Sequence, residues 1–243
     1  MIKNIVTVAA AVLGAGALVV GCNFEQPDAG CIVQDTNWYA KYDLKANSTV
    51  AVGCESTVLT GEALGVFKFT NPEAPGESKL TIRPEGLASR GARDPGDPYL
   101  QTAVGSLTDT TVDSFCSASN FTEASVNAAP VADDATTKDE DESLPAESIS
   151  YKFDNVQVYS APRAPGTQLK GELTYTRNGC TTQYTVRAIW PVAECDPSEE
   201  DSCGGGSGVN PDFNVECFRA PGAPEDEPGH CVPVGDIPAF KAE

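Results

Sequence analysis

Eight of the nine cysteines stand between residues 31 and 231, and no two of those eight are closer than eight positions. They are Cys31, Cys54, Cys116, Cys180, Cys195, Cys203, Cys217 and Cys231. An even set without the paired short spacing of a zinc site reads as a disulfide framework, so no metal is expected. Such bridges persist in oxidising compartments, which places the chain outside the cytosol. Four of the cysteines fall in the first 180 residues and four in 195–231, so pairing within each group is expected. A catalytic thiolate needs a cationic neighbourhood, and this chain carries 35 acids against 16 bases, a net charge of −19. The same balance argues against a nucleic-acid partner, because phosphate contacts need clustered Lys and Arg.

The remaining cysteine lies at the end of a different signal. After Lys3 and Asn4, residues Ile5 to Val20 carry no charge, and Gly21-Cys22 follows. As a helix this run would rise only about 24 Å, short of a roughly 30 Å hydrocarbon core, so an export signal fits better than a spanning helix. Leu18-Val19-Val20-Gly21-Cys22 resembles the lipobox of bacterial lipoproteins. That resemblance implies cleavage between Gly21 and Cys22, a thioether-linked diacylglycerol on the Cys22 sulfur and a palmitoyl chain on its freed amine. Membrane lipid is then the first partner, since two or three acyl chains hold essentially permanently. Asn23, where the inner-membrane retention pattern prefers Asp, implies the outer membrane. An ordinary secretory signal with an incidental cysteine is the competing reading.

This divides the chain into a cleaved signal peptide (1–21), a tether (22–30), an all-β domain (31–190) and a Pro/Gly/Cys-rich acidic tail (191–243). Removing the signal takes away Lys3 and no acid, leaving 15 bases against 35 acids. Within the body, Leu169, Leu173 and Tyr175 alternate with polar residues before Asn178-Gly179, and Tyr184, Val186, Ala188 and Trp190 alternate after it. Period two on both sides of Asn-Gly is the strongest short-range hairpin signal. Tyr151 to Val158 supplies a third strand whose phase shifts near Asp154-Asn155, as at a bulge. Residues 66–69 and 79–83 flank a turn-rich stretch and predict another hairpin; Ser48 to Cys54 reads as a short β-branched strand, and 84–98 as loop. Outside the signal no stretch of ten residues carries a helical period. The expected fold is an antiparallel, sandwich-like all-β body with an irregular, disulfide-rich C-terminal segment.

Residues 133–142 hold six acids and one base, a solvated loop. A calcium site is the other reading, but the EF-hand spacing and its glycine are missing. The tail holds 15 prolines and glycines in 53 residues, with twelve acids against Arg219 and Lys241. It should depend on its disulfides. Gly179-Cys180, Tyr184 to Pro191, Cys195, Asn210 to Cys217 and Cys231 together resemble uncharacterised envelope lipoproteins of myxobacteria. That resemblance implies a location and no activity.

No serine-hydrolase elbow or zinc-protease motif occurs, and the single His230 reads as an exposed loop residue. No catalytic residues and no cofactor are expected. Tyr184 and Trp190 share the apolar phase of their strand and read as core. Trp38 and Tyr39 are adjacent, point to opposite faces if extended, and are the candidate ligand contacts. The first functional expectation is a non-enzymatic, lipid-anchored outer-membrane protein with a structural or interaction role, its partner an envelope protein or glycan. The alternative is a surface-displayed carbohydrate- or ligand-binding module or a carboxylate-dependent hydrolase.

Overall fold

The structure, a computed structural model, describes residues 30–70, 72–74, 76–133 and 143–242. Its strands are β1 (Thr36–Leu44), β2 (Gly61–Thr70), β3 (Ser78–Pro84), β4 (Ala103–Leu107), β5 (Phe115–Ser119), β6 (Ala124–Ala128), β7 (Glu147–Ala161), β8 (Ala164–Arg177), β9 (Cys180–Ile189), β10 (Glu194–Cys195), β11 (Val215–Phe218) and β12 (Gly229–Pro233). The longest described α-helix, α1 (Glu85–Ala88), has four residues. As the sequence predicts, the chain is all-β and antiparallel.

The β8–β9 hairpin forms where Asn-Gly placed it. Arg177 pairs with Cys180, and Asn178 and Gly179 take φ of +51° and +84°. A two-residue type I′ turn needs positive φ at both positions, which these two residues adopt at least cost. The bulge also falls as expected: the β7–β8 register shifts between Asp154 and Gln157, with Asn155 at φ +49°. The second expected hairpin is β2–β3, in register from Leu64–Pro84 to Thr70–Ser78.

From β1 to β5 and from β6 to β9 each strand pairs with the next, and the sheet closes on itself. Strand β1 pairs with β2 on one side and β9 on the other. Strands β5 and β6 lie end to end along one edge of β7, and β5 also pairs with β4. The result is an up-and-down barrel in which β6 is paired on one side only; on its other side the Asn127 and Ala129 amides donate to Asp94 and to the Arg93 carbonyl.

Period two then sorts the side chains. Trp38, Ala40 and Tyr42 of β1, Leu64 and Val66 of β2, Leu80 and Ile82 of β3, and Leu169, Leu173, Tyr184 and Val186 of the hairpin are buried in one core. At Gly105 a Cβ would stand 2.7 Å from the Phe121 ring, so only glycine leaves the ring its place. The interior is filled with side chains rather than open as a lumen.

Both ends are closed. At the end where β1 begins, called the lower end, the segment from Gly30 to Asp35 crosses the barrel. A disulfide joins Cys31 to Cys116. The Ser160 hydroxyl donates to the Gly30 carbonyl at 2.7 Å and accepts from the Ile32 amide at 3.1 Å. Lys68, whose place in β2 faces inward, donates to the Cys31 carbonyl at 2.7 Å. At the upper end α1 buries Leu87 in the main core.

Ser48 to Cys54 is not a strand. It runs as irregular chain and turn, with Val52 fully exposed and Cys54 bonded to Cys180 at the hairpin turn. The β-branched run satisfied the local pattern, but the adjacent positions on β1 are already taken by β2 and β9.

The tail lies on the outside of the β1–β9–β8 wall. Its short strands β10, β12 and β11 form a small sheet, and its bridges are Cys195–Cys217 and Cys203–Cys231. All four disulfides therefore fall within the two regional groups. Phe213, Ile237 and Ala239 pack with Ile189, Tyr159 and Ala164 in a second core. Buried Gln168 accepts from the Ala239 amide at 2.7 Å and donates to its carbonyl at 3.2 Å, a side chain standing in for a strand.

Candidate functional site

The sequence put the ligand contacts at Trp38 and Tyr39, and the structure buries both. Trp38 points into the barrel, with its indole N–H donating to the Gln34 carbonyl at 2.8 Å. Tyr39 points outward, but the tail covers it. Its ring stacks on His230 at 4.0 Å, with 4° between the planes. The two do face opposite sides of an extended strand, and each side has its own cover. His230 is correspondingly no exposed loop residue: it lies half-buried in β12, paired with Phe218 and Glu194. Burial holds its imidazole below the ordinary value, against the opposing charges of Glu194 and Glu227. Tyr184 is buried as expected, and Trp190 is partly buried against the same core.

At the upper end two carboxylates are pushed in opposite directions. Glu62, at an inward position of β2, accepts from the Tyr42 hydroxyl at 2.8 Å and from the Gly86 amide at 2.6 Å. Burial raises its carboxyl above the ordinary range, and these hydrogen bonds only partly oppose that. The neighbouring phenols respond to the same surroundings. Tyr151 is pushed well above its usual value, and burial takes Tyr175 up to about 12. A Cβ on Gly86 would press on the Tyr151 hydroxyl and on Glu62, which is why the second residue of α1 is a glycine.

Glu147, the first residue of β7, is met by three guanidinium groups. Arg90 reaches it at 2.6 Å, Arg93 at 3.3 Å, and Arg177 bonds its other oxygen. Burial alone would raise this carboxyl; the hydrogen bonds and charges of Arg90 and Arg177 prevail and hold it below the ordinary carboxylate range. Arg90 also donates to the Gly86 carbonyl, and Arg93 to those of Ala129 and Pro145. The segment after β3 is thus fastened to the barrel by Glu62 through Gly86 and by Glu147 through two arginines. Each carboxylate gives one oxygen to this fastening and the other to the barrel itself, Glu62 to Tyr42 and Glu147 to Arg177. None of these residues was singled out from sequence, because the arginines stand 57, 54 and 30 positions from Glu147.

The tail carries a shallow cleft lined by Glu194, Asp196, Glu225, Asp226, Glu227 and Arg219. The sulfurs of Cys195, Cys203 and Cys217 lie within 4.8 Å of one another, but all three are in disulfides and offer no thiolate to a metal. The lipobox with Gly21 and Cys22, the tether before Gly30, and 134–142 of the acidic loop lie outside the described residues.

The outer faces of β7, β8 and β9 are polar. Ser148, Ser150, Lys152 and Asp154 of β7 alternate with the core positions, as do Lys170, Glu172, Thr174 and Thr176 of β8 and Thr181, Gln183, Thr185 and Arg187 of β9. A membrane-spanning barrel needs the reverse, an apolar band facing lipid.

The sequence model of the MlpA family matches residues 36–191, from the first residue of β1 to just past β9. A Myxococcus xanthus protein, MlpA, described as a candidate lipoprotein, is 45% identical over 249 aligned positions, covering 99% of this chain and 100% of that protein. No solved structure matches.

Proposed function

Because the chain belongs to the MlpA family, we propose that it is a bacterial lipoprotein held by acyl chains on Cys22, serving the outer membrane by structure or interaction rather than catalysis. The observation that carries this reading is the lipobox, Leu18 to Cys22, placed a few residues before the first described residue, Gly30. The relative's description as a candidate lipoprotein supports it. So do the polar outer faces of β7, β8 and β9, which suit a barrel that lies on a membrane and not through it. Asn23 favours the outer membrane.

A non-catalytic role rests on what the residues are occupied with. The barrel interior is filled, Glu62 and Glu147 hold the upper segment in place, and the aromatic pair that suggested glycan binding is covered. What the molecule offers a partner is its surface. Cys22→Ser, followed by cell fractionation and density separation of the two membranes, tests the proposal. The wild-type chain is expected with the outer membrane and the variant in the soluble fraction. A variant that stays with the membrane would show that acyl chains are not what holds it.

A further inference from the structure

Exposed apolar side chains occur at both ends of the barrel, and the entry point of the chain distinguishes the ends. At the lower end stand Val112 at 72% exposed, Phe69 at 56% and Ile32 at 39%. A continuous set of contacts puts them on one rim. Phe69 pairs with Lys79 at the end of the β2–β3 hairpin. Ser78 beside it bonds Asp109, in the same loop as Val112. That loop continues to Ser114, whose carbonyl accepts from the Ser160 amide at 2.7 Å, and the Ser160 hydroxyl accepts from the Ile32 amide. Ile32 is two residues from Gly30, where the tether arrives.

We propose that this lower rim rests in the surface of the bilayer that holds the protein's own acyl chains, with Phe69, Val112 and Ile32 as its apolar contacts. The proposal rests on the lipid-anchored reading and adds an orientation to it. Length decides between the ends. Seven residues lie between Cys22 and Gly30, and the eight Cα-to-Cα steps reach at most about 28 Å when fully extended. Ten-residue strands tilted as in a small barrel give a wall about 25 Å tall. Turning the upper end to the bilayer would draw the tether nearly straight along the whole wall, at the entropic cost of fixing every residue in it. With the lower end down, the tether stays slack. The acids of this rim are partly engaged: Asp35 accepts from the Lys68 amide and Asp109 from Ser78. They face a zwitterionic surface with less repulsion than an anionic one. The arginine-rich upper end is then carried outermost, away from the lipid.

The test places tryptophan at the rim of the native, lipidated chain, one position at a time, by Val112→Trp and Phe69→Trp. Tyr99→Trp and Leu100→Trp mark the opposite end, where those residues are 85% and 55% exposed. Each protein is reconstituted into phosphatidylcholine vesicles with brominated acyl chains, and circular dichroism confirms the β fold. Trp38 and Trp190 supply a common background. The proposal expects emission from positions 112 and 69 to shift to the blue and be quenched several-fold more strongly than that from 99 and 100. Vesicle-bound protein with no excess quenching at 112 and 69 overturns the orientation and leaves the anchor standing. Stronger quenching at 99 and 100 overturns it in favour of the opposite end. Protein that does not stay with the vesicles overturns the anchor, and the orientation with it.

Discussion

Glu147→Gln tests the fastening at the upper end. The wild-type carboxylate is largely buried, with 7% of its side chain exposed, and answers three arginines that keep only 16–31% of theirs. Glutamine fills the same space, loses the charge and turns an N–H₂ toward a guanidinium. Removing one partner of a buried ion pair costs about 3–5 kcal/mol, and the residual solvation of the arginines brings the expected loss to roughly 2–4 kcal/mol. For a chain of this size that is on the order of 5–15 °C in Tm. The pH dependence has a definite sign. The folded carboxyl titrates below its unfolded value, so its contribution is present above the unfolded value near 4.3 and is lost as pH falls through the folded one. Thermal and urea unfolding of both proteins between about pH 3 and pH 7 should therefore show the gap at neutral pH and its closure in acid. Hydrogen exchange should rise first in residues 85–101. A gap under about 1 kcal/mol, or one that is the same at every pH, would refute the claim that this ion cluster holds the segment down.

Other predictions address other joints. Gly86→Ala should cost about 1–3 kcal/mol in urea unfolding, because the new methyl meets the Tyr151 hydroxyl and Glu62. Gly179→Ala should lower stability by about 1 kcal/mol, since the type I′ turn holds this residue at φ +84°. Replacing both Cys203 and Cys231 by Ser opens a bridge spanning 28 residues, worth about 3–4 kcal/mol by chain entropy. Limited proteolysis should then cut between Cys195 and Cys231 and leave a resistant fragment ending near Trp190; a body digested along with the tail would show that the barrel needs that cover.

What the sequence revealed was local. Asn178-Gly179 and the alternation around it announced the β8–β9 hairpin because the turn and both strands lie within some twenty residues. The bulge at Asn155 and the β2–β3 hairpin were legible for the same reason. Barrel closure was not, since the β1–β9 and β5–β7 contacts join residues far apart in sequence and leave no periodic trace. Ser48 to Cys54 shows the limit from the other side: a good strand pattern has no consequence where no partner edge is free. Trp38 and Tyr39 were correctly assigned to opposite faces, but one cover is the barrel interior and the other a tail strand some 190 residues later. Glu147, five residues past the acidic run 133–142, carried no signal of its own. Only the fold brings Arg90, Arg93 and Arg177 to it.

The central claim is that this barrel is tethered by lipid at Cys22, and intact mass spectrometry of the N-terminal peptide of the native protein tests it most directly. The account predicts a chain beginning at Cys22, with a diacylglyceryl group on sulfur and an acyl chain on the α-amine. A chain that begins elsewhere, or an unmodified thiol at Cys22, would contradict it.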